Sequence, residues 1–167
     1  MTAYFVGKWK GINLQQANTG NLGARNAGRT LGKGAFLLTV IGDGGKGIVT
    51  VLVGRYLGFD DFWVTLGIFS VVLGHLYPFW LQFKGGKGIA TGIGALLAFS
   101  PLLLMALLAG FLLALPFTKS LTISMVAGFF TYSLAIVAAG RLELTVLIVM
   151  LLLLTIEHRQ NILERVR

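Results

Sequence analysis

The residues best suited to chemistry lie in one short polar stretch, Lys84-Gly85-Gly86-Lys87-Gly88-Ile89-Ala90-Thr91, set between long apolar segments with no acidic residue beside it. Glycines bring backbone N–H groups close to a ligand and lysines supply fixed positive charge. The apolar helix predicted from Ile89 onward aims its N-terminal dipole at the same point. That combination suits a bound phosphate. Lysines also mark the cytoplasmic edge of a membrane span, but a mere anchor has no need of the Gly85-Gly86 pair, because glycine in a helix costs about 1 kcal/mol relative to alanine. A related run, Gly44-Gly45-Lys46-Gly47-Ile48-Val49-Thr50, occurs upstream. Neither run is a P-loop, since Gly follows each lysine where Ser or Thr would hold the metal.

Two further segments carry similar chemistry. Asn18 to Lys33 is a polar, glycine-rich loop with Thr19, Asn21, Arg25, Asn26 and Arg29; arginines, amides and free N–H groups together are what phosphate recognition uses. Near the C-terminus come His158, Arg159 and Asn161, with a basic tail through Arg167. The combined inventory is rich in donors and cations and poor in carboxylates, which points to phosphorylated substrates, while a neighbouring apolar groove would take a lipid chain. Acyl or phosphoryl transfer at a membrane surface is the chemistry this suggests. Proton-coupled transport would place carboxylates at mid-membrane, where only Asp43 qualifies. Asp43 and Lys46, three residues apart on a predicted helix, either pair with each other or bind something. His75 reads as a satisfied interface residue rather than a base.

The elements that must position these groups are membrane helices. The 167 residues are 56% hydrophobic and 12% charged, with mean hydropathy +0.83, and the apolar residues come in runs. The expected fold is an all-α integral membrane protein, a single polytopic domain over residues 1–167. About six spans are expected, at 35–57, 62–80, 89–99, 102–117, 121–139 and 144–156, the third long enough for only about half of the bilayer core. Met1 to Gln16 is too short in apolar residues to span and is expected along the surface. With the start inside, the Arg25 loop, the central lysines, Lys119 and the tail share the cytoplasmic face, in accord with the positive-inside rule. Net charge +8 suits anionic lipid head groups or anionic substrates; nucleic acid, lacking a basic domain with aromatics, is a poor match. No cysteine and two distant histidines disfavour disulfides, thiolate chemistry or a structural zinc site.

Three ordered motifs resemble those of the bacterial acyl-phosphate:glycerol-3-phosphate acyltransferase family. Its Ser-Gly-Asn-x-Gly-Ala-x-Asn motif with a following Arg is matched by Thr19-Gly20-Asn21-Leu22-Gly23-Ala24-Arg25-Asn26 and Arg29. Its Gly-Gly-Lys-Gly-x-Ala-Thr motif is matched by residues 85–91, preceded by Gly74-His75-Leu76-Tyr77-Pro78, and its His-Arg-Glu-Asn-Ile motif by His158-Arg159-Gln160-Asn161-Ile162. The resemblance implies transfer of a fatty acyl group from acyl phosphate to the 1-hydroxyl of glycerol 3-phosphate, giving lysophosphatidate and phosphate. It implies no metal or other cofactor, no obligate protein partner, and a multi-pass protein of the bacterial inner membrane with its site facing the cytoplasm. Thr19, Arg29, His158 and Asn161 correspond to the catalytic residues. Asn21, Asn26, Lys84, Gly85, Gly86, Lys87, Gly88, Thr91 and Arg159 correspond to substrate-binding positions. Thr19 stands for Ser, Gln160 for Glu, and the seven-helix family pattern is expected here one helix short. The competing expectations are a non-catalytic binder of a phosphorylated lipid precursor and an anion or lipid transporter.

Overall fold

The computed structural model describes residues 1–166, with side chains as far as Glu164; Arg167, the end of the expected basic tail, lies outside the described residues. All regular structure in it is helical. The helices are α1 (Thr2–Trp9), α2 (Ala24–Leu31), α3 (Lys33–Tyr56), α4 (Asp61–Leu76), α5 (Ile89–Phe99), α6 (Pro101–Thr118), α7 (Leu121–Ala138), α8 (Thr145–Glu157) and α9 (Arg159–Val166), with short 3-10 turns at Phe79–Leu81 and Leu142–Leu144. This is an all-α integral membrane protein. Its outward surface is apolar: Phe117 is 86% exposed and Leu102 82%, and a water-soluble fold would not leave so many large apolar side chains outside.

Among the described residues, four helical stretches are long and apolar enough to cross a bilayer: 33–56, 61–81, 101–118 and 121–138. α5, with 11 residues, and α8, with 13, are shorter. The boundaries have local causes. Asp60 caps α4 by accepting from Trp63 N at 3.2 Å. At its other end α4 stops at Leu76 rather than reaching Trp80 as the hydropathy predicts, because Pro78 forces Tyr77 out of helical geometry. Ser100 caps α6, with Pro101 in the first turn where its missing N–H is harmless. The expected Asn18–Lys33 loop contains a correction: α2 forms within it, anchored by its amphipathic pattern against α3. The N-terminal segment is likewise a helix, α1, packed on α3.

Helices approach closely where glycines face one another. A Cβ on Gly47 would lie 2.2 Å from Thr91 O and one on Gly94 2.2 Å from Gly44 O, so α3 and α5 touch backbone to backbone. The α6–α7 pair closes in the same way, since a Cβ on Gly128 would sit 2.6 Å from Leu107 O, and Thr131 donates to Ala106 O at 2.7 Å across the interface. The main apolar core lies among α4, α5, α7 and α8, built on residues such as Ile68, Leu96, Ile136 and Met150. Within it Tyr132 is fully buried, and its hydroxyl has no partner. At the end of the molecule that carries the α3–α4 and α7–α8 turns, Asp61 pairs with Arg55 at 2.6 Å and with Arg141, which also holds Glu143.

Candidate active site

The central loop folds back onto the end of α4. Gly85 N donates to Leu76 O at 3.1 Å and Gly86 N to His75 O at 3.2 Å, satisfying carbonyls that the helix end leaves free. A Cβ on Gly85 would lie 2.1 Å from His75 O, and one on Gly86 2.3 Å from His75 Nε2. This corrects the reason for the glycine pair: Gly85 and Gly86 are glycine so that the loop can seat on α4, and their N–H groups are spent there rather than offered to a ligand. Gly88 has φ +77 and opens α5. No side chain caps that helix, which leaves the N–H groups of its first turn, from Ile89 onward, without helical partners.

Around this opening the structure gathers cations. Lys87 Nζ donates to Asn161 Oδ1 at 2.6 Å, so the central loop and the C-terminal segment meet. Burial holds the Lys87 ammonium below its ordinary range, and the nearby Arg25 guanidinium pushes the same way against Glu157 and Glu164. Arg25 and Arg29 also line a recess of about 500 Å³ with Lys119, Ser120, Leu121 and Thr122 from the α6–α7 connection. His158 is buried, and its Nδ1 lies 2.8 Å from Leu154 O. Against a carbonyl that nitrogen must carry the proton, so Nε2 is left as the acceptor. Burial lowers the basicity of His158, reinforced by Lys87 and Arg25 and opposed by the Leu154 carbonyl, so the ring is neutral near pH 7.

Other expected site residues do different work. Asn26 is buried and donates to Leu14 O at 3.1 Å and Ala17 O at 3.2 Å, while its Oδ1 receives Thr19 N at 3.4 Å. It ties the loop together, with both Nδ2 hydrogens spent on loop carbonyls. Asn21 differs, since its Oδ1 is buried with no partner. Thr19 is exposed, as are Lys84, whose carbonyl receives Gln15 Nε2 at 3.2 Å, and Arg159, whose guanidinium reaches Ile156 O at 3.4 Å. Thr91 is fully buried and its hydroxyl lies 3.1 Å from His75 Nδ1, so it faces the interior and not a surface ligand.

That contact belongs to a polar cluster beneath the loop. Lys46 Nζ reaches Asp43 Oδ1 at 3.2 Å, which is the pairing expected from their spacing, and also contacts His75 Nδ1. Thr2 completes the cluster by donating to Asp43 Oδ1 from its N–H at 3.2 Å and its hydroxyl at 3.1 Å. The sequence shows no link between Thr2, Asp43 and His75, which lie far apart along the chain. Glu157 is a second residue that the motifs pass over. It accepts from the Tyr77 hydroxyl, and it sets a carboxylate among the cations.

Comparison with known proteins bears on this arrangement. The family model described as glycerol-3-phosphate acyltransferase matches residues 1–167. The chain belongs to that family. Among its relatives, glycerol-3-phosphate acyltransferase 1 of Bacillus cereus (strain ATCC 10987 / NRS 248) is 45% identical over 114 residues, 68% of this chain and 63% of the relative. The glycerol-3-phosphate acyltransferase of Geobacter sulfurreducens is 36% identical over 163 residues, 96% of this chain and 84% of the relative. The match to the Bacillus protein thus spans less than two thirds of that protein's length. A crystal structure of PlsY (YgiH), an integral membrane glycerol 3-phosphate acyltransferase in its glycerol 3-phosphate form, superposes with a TM-score of 0.83 at 31% identity, covering 96% of this chain and 82% of PlsY. Its lysophosphatidic acid form gives 0.82 at 30% identity, covering 97% and 83%.

Proposed function

We propose that this acyltransferase-family chain moves a fatty acyl group from acyl phosphate to the 1-hydroxyl of glycerol 3-phosphate, releasing lysophosphatidate and phosphate. The observation that carries the reading is the meeting of Lys87 and Asn161 at the uncapped start of α5, with Arg25 and His158 beside them. The likeness to a protein solved in glycerol 3-phosphate and lysophosphatidic acid forms supports it.

An acyl phosphate is already activated, so the protein's work is to hold two phosphates close and to stabilise the oxyanion that develops on the carbonyl. Lys87, Arg25 and Arg29 neutralise phosphate charge, and the Thr19 hydroxyl and the Asn21 Nδ2 donate hydrogen bonds to its oxygens. The 1-hydroxyl oxygen forms a bond to the acyl carbon as its proton passes to His158 Nε2. The acyl carbon–oxygen bond to phosphate then breaks, and the bonding pair leaves with phosphate. The site faces the cytoplasm, where phosphorylated substrates are dissolved, and the apolar flank of the helices takes the acyl chain from the inner membrane.

The test uses the purified protein in lipid nanodiscs, with phosphate release from palmitoyl phosphate followed with and without glycerol 3-phosphate. Release that requires the acceptor and is lost in Lys87→Ala supports the reading. Binding of both substrates without release would make the chain a binder of phosphorylated lipid precursors.

A further inference from the structure

We propose that His75, braced by Lys46, is a positioning residue that sets the phosphate-binding loop and the start of α5 in register, without touching substrate. The inference rests on the site assignment above only for its kinetic arm. One imidazole stands where α3, the start of α5 and the central loop meet. Its Nδ1 receives Lys46 from α3 and lies 3.1 Å from the Thr91 hydroxyl in the first turn of α5. Paired with the Asp43 carboxylate, Lys46 is an ammonium with no lone pair to offer, so Nδ1 is the acceptor and the ring proton is on Nε2, the nitrogen lying against Gly86. The backbone of the same residue accepts Gly86 N, and Gly85 O in turn receives Leu22 N at 3.4 Å, which brings in the Asn21 segment.

Burial sets the role. Thr91 is 0%, Asp43 1% and His75 4% exposed, so the hydroxyl, the carboxylate and the ring lie out of a surface ligand's reach, while the Lys46 side chain that braces them is 27% exposed. Charge inside a membrane helix is costly and is kept where it does something. Ion pairing alone would need only Asp43 and Lys46, which share α3. Yet Lys46 reaches across to α4, and Asp43 is already held by Thr2. The surplus contact is the one that locks the ring under the loop. Misplacing a binding group by about 1 Å is enough to cost on the order of a hundredfold in rate.

Three variants test this in nanodiscs. Thr91→Val keeps the shape and removes one hydroxyl; His75→Leu removes the ring acceptor; His75→Asn restores an acceptor oxygen where Nδ1 stands. Amide hydrogen exchange at Gly85 and Gly86 is expected to accelerate about tenfold or more in Thr91→Val and His75→Leu, with α6 and α7 unchanged, and to return toward wild type in His75→Asn. With glycerol 3-phosphate and palmitoyl phosphate, kcat/KM is expected to fall about tenfold or more in the first two and to recover to within about threefold in His75→Asn, with the shape of the pH profile preserved throughout. The proposal is overturned if exchange at Gly85 and Gly86 is unchanged in His75→Leu, if asparagine rescues no better than leucine, or if an ionisation disappears from the pH profile. Should wild type show no turnover, the assigned reaction fails while the exchange measurement still decides the positioning role.

Discussion

Replacing Gly94 by alanine adds one methyl group, and the structure fixes where it goes. The new Cβ would lie 2.2 Å from Gly44 O, 2.8 Å from Gly44 C and 2.9 Å from Gly44 Cα, all backbone atoms of α3 that cannot swing away. Ordinary contact begins near 3.4 Å, so the two helices must separate locally by about 1.2 Å. Overpacking of this kind costs about 1–3 kcal/mol, a factor of roughly 5 to 150 in the folding equilibrium. Gly45 is the matched control, because a Cβ there meets nothing within 4 Å and alanine is the better helix former. Reversible unfolding of the two variants in mixed detergent micelles should therefore give opposite signs: Gly94→Ala destabilised, Gly45→Ala unchanged or stabilised. Equal stability for the two would refute the backbone crossing of α3 on α5. Because the displaced helix α5 also carries Thr91 and starts beside Lys87, Gly94→Ala should also lower kcat/KM at a temperature where it remains folded.

Asn161→Ala leaves a half-buried Lys87 ammonium without its acceptor; charged hydrogen bonds are worth about 1.5–3 kcal/mol, so phosphate release should slow by roughly 10- to 150-fold while Asn161→Asp retains more. Tyr132→Phe removes a buried hydroxyl that has no partner and should raise the unfolding midpoint, the added stability being of order 1 kcal/mol; a lower midpoint would show that the hydroxyl is bonded after all. His158, its basicity lowered by burial, should place the acid limb of kcat/KM at a lower pH than a free imidazole would, and that limb should vanish in His158→Gln. The same depressed pKa stabilises the fold fully above pH 6.5, and that increment is lost as pH falls through the folded value; a midpoint that rises on acidification from pH 6.5 would contradict it.

Much of the membrane architecture was legible because hydropathy runs and capping residues are local signals. Ser100-Pro101 marks a helix start by chemistry alone, and the Asp43–Lys46 pair follows from a spacing of three. Tyr77-Pro78 also ends α4 by a local rule, which averaging over the apolar run hides. The candidate site was legible as a list of polar segments but not in its division of labour. Asn26 and Thr91 have the same chemistry whether they face a ligand or the interior, and only the tertiary fold turns both inward. Gly85 and Gly86 show the same ambiguity, since close approach to a phosphate and close approach to a helix end require the same missing side chain. α2 is hidden in the polar loop because the surrounding glycines and asparagines outweigh the pattern of a helix of 8 residues, about two turns; packing on α3 decides the matter.

The Arg55–Asp61–Arg141–Glu143 network fastens the end of the molecule that holds the α3–α4 and α7–α8 turns with exposed or half-exposed charges, whereas the candidate site is held by buried hydrogen bonds and backbone contact. Dissolved salt acts over a screening length of about 8 Å at physiological ionic strength and reaches the first kind of fastening far more than the second. The two ends of this protein should therefore answer differently to their surroundings. Raising the salt concentration should loosen the Asp61 end, seen as faster proteolysis or labelling at the 57–61 and 140–144 turns, and leave the loop over His75 closed.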